Sequence, residues 1–141
     1  MPTKEESLLK KKCIVTFLFR LDKRFGLNFG VWKKKNISKE NAFDYIAGYT
    51  IGLDMTLRDL QASAKRNGHP WTISKCFDTS TVLGNFISKE KITDPNNLEI
   101  KLWVNGELKQ NDNTSDMIFN VAEIIEYVSR FFTLEEGDIV F

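Results

Sequence analysis

The sequence has 141 residues, of which 42% are hydrophobic and 28% are charged, and its formal net charge is +1. This length and composition suit one globular core and exclude a collagen-like or intrinsically disordered chain. A single histidine excludes a metal site built from several histidines. The two cysteines, Cys13 and Cys76, match no zinc or redox spacing, and they favour a reducing compartment.

The charge is distributed unevenly along the chain. Residues 1–39 carry eleven Lys or Arg against three acids, and the remaining residues carry nine against sixteen. A basic segment can contact nucleic acid or an anionic membrane, but it is more often a targeting sequence or a solvated tail. The apolar run over 13–19 is far shorter than the ~20 residues of a membrane span, and no small-residue cleavage site follows it. We therefore expect no membrane partner, and nucleic acid is a minor alternative.

The first regular elements are predicted between residues 38 and 67. Ser38 is a suitable N-cap, and Gly48 and Gly68 are stop signals for two helices. An apolar run between these helices predicts a strand that leads into Asp54. The predicted elements are a helix over 39–47, a strand over 49–53 and a helix over 56–67.

The second half of the chain combines a long loop, a hairpin and one helix. The stretch HPWTISKCFDTSTVLGNF mixes turn residues with aromatics and predicts an ordered, irregular loop. Asn105-Gly106 between LEIKLWV and ELKQ is a strong hairpin signal. Apolar residues at helical spacing predict a core-facing helix over 121–132. EEGDIVF predicts a turn and a strand, and because the sequence then stops at an unblunted apolar edge, we expect a truncation there.

Asp54 is the most informative single residue. It follows an apolar run, and a buried carboxylate is costly unless it is paired or coordinated. If the next helix begins near Asp54, then Asp54, Arg58 and Gln61 share one helix face. An ion pair between Asp54 and Arg58 beside an ordinary polar Gln61 is then the simplest interpretation. Lys75 is by default an exposed lysine, and a lysine held beside an anionic ligand is the alternative.

Several motifs in the same order carry a family resemblance. GYTIGLDMTLRDLQ, HPW, ISKCFD, KLWVNGELKQ, NTSDMIF, EIIEYVS and LEEGDIVF resemble the fumarylacetoacetate hydrolase family, in its acylpyruvase and oxaloacetate decarboxylase branch. The resemblance implies an α+β, mainly β fold, a mixed β-roll around a divalent-metal site that is incomplete here. It divides the chain into a basic, family-unlike segment over 1–35 and a partial catalytic domain over 36–141.

The same resemblance implies roles for four residues. Asp54 becomes a ligand of Mg²⁺ or Mn²⁺, Arg58 and Gln61 contact the substrate, and Lys75 is both a substrate contact and the catalytic cation beside an enolate. The implied reactions are acylpyruvate hydrolysis and oxaloacetate decarboxylation through a metal-stabilised pyruvate enolate. Small 2-oxo acids are the implied substrates, a homodimer is the implied assembly, and the implied location is mitochondrial or cytoplasmic.

The sequence also departs from the family pattern. The family has a Glu-x-Glu pair of metal ligands before the position of Asp54, and a histidine and a glutamate that activate water further upstream. Here no Glu-x-Glu precedes Asp54 and no histidine precedes His69. The segment over 26–35 is a candidate remnant of the ligand strand, with Asn28 near a glutamate position. The family's Thr-Gly-Thr-Pro loop is missing too, so the alternative to an enzyme is a truncated, catalytically inactive fragment or isoform that lacks most metal ligands.

Overall fold

The computed structural model describes the backbone of residues 11–21 and all atoms of residues 33–141. The strands are β1 (Lys11–Leu21), β2 (Lys33–Lys34), β3 (Ile46–Leu57), β4 (Thr81–Leu83), β5 (Ile87–Ser88), β6 (Glu99–Val104), β7 (Glu107–Asn113), β8 (Leu134–Glu135) and β9 (Ile139–Val140). The α-helices are α1 (Arg58–Arg66), α2 (Thr72–Lys75) and α3 (Val121–Phe131), and the 3₁₀ helices are Lys39–Tyr45, Lys89–Lys91 and Thr114–Asp116. None of the helices in these ranges is long and apolar enough to cross a membrane.

The longest strand of the described chain, β3, organises the main sheet. Its antiparallel neighbour β1 pairs with it from Lys11 opposite Leu57 to Leu21 opposite Ile46, and β9 pairs with the other edge of β1. On its second edge, β3 pairs with β5 near its start and with β4 near its end. Two further antiparallel pairs, β2 with β8 and β6 with β7, form separate two-stranded sheets.

The hydrophobic core joins the start of β3 to α3. The Asn120 side chain accepts a hydrogen bond from the Glu123 amide, and the Glu123 carboxylate accepts one from the Asn120 amide, so a capping box starts α3. Val121 and Ile125 lie one helical turn apart and are both fully buried. The buried core cluster consists of Ile37, Ala42, Ile46, Tyr49, Val121, Ile125 and Leu134.

The predicted helix over 39–47 is shorter in the structure. A 3₁₀ helix covers Lys39–Tyr45, and Ser38 makes no capping hydrogen bond with its side chain. Ile46 and Ala47 are buried in β3 instead, because burial in the sheet outweighs their local helical pattern. Gly48 lies within the strand and stops no helix. A Cβ atom there would collide with the Ile87 carbonyl oxygen, so glycine is what allows β5 to pair this closely.

The boundary between β3 and α1 lies later than the sequence predicted. The strand continues through Asp54 to Leu57, and the helix begins at Arg58. Pairing explains the extension, since Asp54 lies opposite Ile14 of β1 on one side and Thr81 of β4 on the other. Asp54 is therefore a strand residue. The assumption that it shares a helix face with Arg58 and Gln61 was wrong.

The other element predictions are largely confirmed. The hairpin forms at Asn105 and Gly106, whose φ angles of 52° and 81° are the positive values that a two-residue type I′ turn needs. The helix predicted over 121–132 is α3, and the last predicted strand is β9. The stretch predicted as an irregular loop contains the short elements α2 and β4. Asn28 lies outside the described residues.

Candidate functional site

The end of β3 and the short helix α2 meet at one ammonium group. Alternate residues of a strand face the same side, so Asp54 and Thr56 point in one direction. The Lys75 Nζ atom donates to Asp54 Oδ2 at 2.5 Å and to Thr56 Oγ1 at 2.9 Å. The side chains of Lys75 and Asp54 are 34% and 25% exposed, whereas Thr56 is only 4% exposed. The ammonium is therefore held by the sheet, at the end of a side chain that is partly exposed to solvent.

A compact turn fixes the position of Lys75. The fully buried Ser74 donates from its amide and from its hydroxyl to the Trp71 carbonyl oxygen, at 2.8 and 2.6 Å. The Cys76 amide donates to the Thr72 carbonyl oxygen at 2.7 Å, and α2 packs against both β3 and α1. Because the backbone on each side of Lys75 is hydrogen-bonded, the position of the Lys75 Cα atom is well defined.

Arg58 and Gln61 form a second polar pair at the start of α1. The Arg58 Nη1 atom donates to Gln61 Oε1 at 2.7 Å, which is the i,i+3 contact expected in a first helical turn. The simple interpretation of an Asp54–Arg58 ion pair was wrong, because Asp54 binds Lys75 instead. The structure places Arg58 directly after the strand that carries Asp54, and its guanidinium is exposed.

The residues at this site do not fit a Mg²⁺ or Mn²⁺ ion by themselves. Among the described residues no group of three or more His, Cys, Asp or Glu side chains could hold a metal. Asp54 is engaged by an ammonium, whose charge opposes a divalent cation at the same carboxylate. The sequence of β1, the strand beside Asp54, contains no acidic residue. A hard divalent cation needs several oxygen ligands, and this part of the chain gathers too few.

The arrangement suits an anionic, oxygen-rich ligand. A fixed ammonium can donate to a carbonyl or enolate oxygen, and an exposed guanidinium can bind a carboxylate through two parallel hydrogen bonds. The sequence interpretation named Lys75 and Arg58 as candidates and did not include Thr56. The available signal was the i,i+2 spacing of Asp54 and Thr56, which becomes meaningful only when the strand is extended to Leu57.

Comparison with known proteins agrees with this fold. The family model for the fumarylacetoacetate (FAA) hydrolase C-terminal region matches residues 26–141. The mitochondrial oxaloacetate tautomerase of Bos taurus is 53% identical over 104 residues, which are 74% of this chain and 47% of that protein. The mitochondrial oxaloacetate decarboxylase of Dictyostelium discoideum is 47% identical over 108 residues, which are 77% of this chain and 50% of that protein.

A solved structure shares the architecture. Fumarylpyruvate hydrolase from Pseudomonas aeruginosa, in complex with Mn²⁺ and pyruvate, matches with a TM-score of 0.81 at 34% identity, over 93% of this chain and 52% of that chain. The predicted α+β, mainly β fold is confirmed by this likeness. The chain spans about half the length of the curated relatives it matches. Its matched residues and its motifs show that the chain belongs to the fumarylacetoacetate hydrolase family, as the resemblance to the oxaloacetate decarboxylase branch implied.

Proposed function

We propose that this chain forms part of an enzyme that acts on small 2-oxo acids, namely oxaloacetate or an acylpyruvate, by stabilising a pyruvate enolate. The observation that carries the proposal is the Lys75 side chain, whose ammonium donates hydrogen bonds to Asp54 and Thr56 and which is still one-third exposed. The family membership and the names of the relatives support it, since two of them are an oxaloacetate tautomerase and an oxaloacetate decarboxylase.

In the proposed mechanism Lys75 stabilises developing negative charge. When the bond to CO₂ breaks, or when the bond to an acyl group breaks after water has added to the acyl carbon and the acyl group leaves as a carboxylic acid, the bond's electron pair forms the enolate. The negative charge collects on the former keto oxygen, and a proton taken up at carbon then gives pyruvate. An ammonium that is already in position lowers the energy of this state without reorganising during the reaction. Arg58 binds the substrate carboxylate, which fixes the keto oxygen near Lys75, and Gln61 offers an amide to the remaining oxygens.

A requirement for Mg²⁺ or Mn²⁺, with Asp54 as one ligand, remains a proposal for this chain. The Mn²⁺ and pyruvate of the Pseudomonas aeruginosa hydrolase support it. Because the described residues gather too few carboxylates, further ligands would come from the substrate, from water or from residues outside the described ranges. Titration of the chain with Mn²⁺, followed by electron paramagnetic resonance with and without oxaloacetate, measures this binding directly.

The second candidate is a family fragment that folds without catalysing the reaction. The ion pair between Asp54 and Lys75 favours it, because a carboxylate that neutralises the lysine also weakens the field that an enolate would experience. This alternative predicts a folded chain that binds an anion weakly and turns over neither oxaloacetate nor an acylpyruvate.

Location and assembly are proposals that rest on the relatives. The two oxaloacetate relatives are named as mitochondrial proteins, which supports a mitochondrial location here, with the cytoplasm as the alternative. A homodimer is proposed from the family resemblance. Imaging of a tagged full-length protein tests the first proposal, and light scattering of the purified chain tests the second.

The deciding experiment is the loss of oxaloacetate and acetylpyruvate absorbance in the presence of the purified chain. We expect turnover with Mg²⁺, less turnover with a chelator, and none in Asp54→Ala. Lys91→Ala, an exposed change in a separate 3₁₀ helix, is the matched control and should keep wild-type activity. A folded wild-type chain without turnover would reject the enzyme and support the inactive fragment.

A further inference from the structure

The hydrogen-bond geometry around Lys75 assigns a role to Thr56. We propose that Thr56 is a positioning residue, whose hydroxyl oxygen directs the Lys75 ammonium towards the substrate oxygen. The inference deepens the proposed function, because it rests on Lys75 being the cation beside the enolate. Thr56 itself is too buried to contact a substrate, and it therefore acts through Lys75.

The donor inventory of an ammonium makes this role specific. A lysine ammonium has three N–H donors. One is directed at Asp54 and one at Thr56, both on the same face of β3. Since two of the three directions are fixed, the third is fixed as well. Because the Lys75 side chain is one-third exposed, we infer that this third donor faces the ligand.

A single partner would not define that direction. A lysine has four side-chain torsions, and an ion pair with Asp54 alone would let the ammonium turn about the contact. Thr56 supplies a second acceptor two residues along the strand. Its β-branched side chain has a restricted χ1 torsion, and its surroundings are buried, so this acceptor is stiff. The conformational entropy of the Lys75 side chain is therefore lost when the protein folds, and substrate binding does not have to oppose it.

Two substitutions separate the hydroxyl from the packing of Thr56. Thr56→Val keeps the branched shape and removes the acceptor, whereas Thr56→Ser keeps the acceptor and removes a buried methyl group. A positioning role predicts that Thr56→Val disturbs the orientation of the Lys75 ammonium and that Thr56→Ser does not. A purely structural role predicts the reverse order, because the serine variant loses the packing. Thr50 provides a matched control, since it is also buried in β3 and its hydroxyl donates to the Asn85 carbonyl oxygen.

The first measurement is nuclear magnetic resonance of ¹⁵N-lysine-labelled chain, in which the Lys75 ammonium signal is assigned by its loss in Lys75→Arg. A hydrogen-bonded ammonium exchanges its protons slowly and gives an observable signal. We expect this signal in the wild type, in Thr56→Ser and in Thr50→Val, and its loss in Thr56→Val. A wild-type chain without the signal, or a Thr56→Val chain that retains it, would overturn the proposal.

The second measurement is steady-state turnover of oxaloacetate by the same variants. We expect Thr56→Val to lower kcat roughly tenfold with a smaller change in KM, because a hydrogen bond to a charged group is being lost where charge develops. Thr56→Ser should restore kcat. Equal kcat in Thr56→Val and the wild type would count against the proposal. Absence of turnover in the wild type would reject the proposed function alone, since the ammonium signal decides the role of Thr56 independently.

Discussion

The two halves of β3 differ in burial and in chemistry. The first half, 46–50, is buried at every position and packs against α3, whereas Asp54 in the second half is partly exposed and meets a charged partner. In the first half both faces of the strand are covered. In the second half one face carries Asp54 and Thr56, which bind Lys75. We call these the core half and the site half of β3.

This difference separates stability from chemistry along one continuous strand. Burial of apolar side chains stabilises the core half, and each residue there contributes by the area that it removes from water. The site half contributes less burial and holds polar groups at defined positions. The strand therefore acts as a rigid connection by which the core determines where Asp54 and Thr56 lie. Substitutions in the two halves should change different measured quantities.

Ile46→Ala should have the largest effect of the substitutions considered. Ile46 is fully buried in the core half, and removing a buried branched side chain leaves a cavity that costs about 2 to 5 kcal/mol of unfolding free energy. Urea unfolding followed by circular dichroism measures this loss. Ile51→Ala is the control in the same strand, because Ile51 is exposed. Equal losses of unfolding free energy in both variants would contradict the distinction between buried and exposed positions of β3.

Lys75→Met should reduce activity far more than stability. It removes the cation from the site half while keeping an unbranched side chain, and loss of one preorganised donor typically lowers kcat by about 10²- to 10³-fold. Because the ion pair is partly exposed, we expect a change in unfolding free energy below about 1 kcal/mol. Turnover and urea unfolding of the same preparation test both parts. A large loss of unfolding free energy with kcat unchanged would contradict the assignment of chemistry to the site half and of stability to the core half.

Tyr49 gives the core half a signature at alkaline pH. Burial, with a contribution from the Asp94 carboxylate, raises the pKa of Tyr49 from 10.0 to about 12. Since the folded chain keeps the phenol proton at pH values where the unfolded chain releases it, unfolding becomes easier as the pH rises from 10 to about 12. The loss amounts to roughly 2 to 3 kcal/mol. Urea unfolding across this range should show a shallower decline in Tyr49→Phe, and an identical decline would contradict the assignment.

Gln61→Ala should have the smallest effect on stability. Its hydrogen bond with Arg58 is an exposed i,i+3 contact, which contributes about 0.2 to 0.5 kcal/mol. The proposed function predicts a larger effect on oxaloacetate KM than on unfolding, because Gln61 and Arg58 would contact the substrate. Gln110→Ala on β7 is the comparison for an unrelated glutamine. Unchanged KM and kcat in Gln61→Ala would remove Gln61 from the proposed site.

The sequence predicted elements best where the signal is local. Asn105-Gly106 needs only its own positive φ angles to form a hairpin, and α3 has both an N-cap and an apolar stripe. The start of β3 was misplaced because Ile46 and Ala47 fit a helix locally, whereas in the structure Ile46 pairs with the distant Leu21 and Ala47 lies at a bulge in the same strand. Pairing information of this kind is absent from a local pattern.

The sequence pointed to candidate residues for the proposed site but not to their contacts. The family resemblance selected Asp54, Arg58, Gln61 and Lys75, and the structure brings them into direct contact as two pairs, Asp54 with Lys75 and Arg58 with Gln61. The partner of Asp54 lies 21 positions away, so helix spacing pointed to Arg58 instead. Thr56 escaped notice because its relevance depends on the extension of β3 past Asp54, which pairing with β1 imposes.

The contacts of Ser129 have a consequence for the timing of folding. The Ser129 hydroxyl accepts a hydrogen bond from the Ile37 amide, and its carbonyl oxygen accepts one from the Asn36 amide. Ile37 and Ser129 are 92 positions apart, so a ribosome must synthesise almost all of α3 before these bonds can form. Until then the core face of β3 lacks its cover. A growing chain therefore carries its apolar strand uncovered from the synthesis of β3 until the synthesis of α3, and this interval is when chaperone binding would matter most.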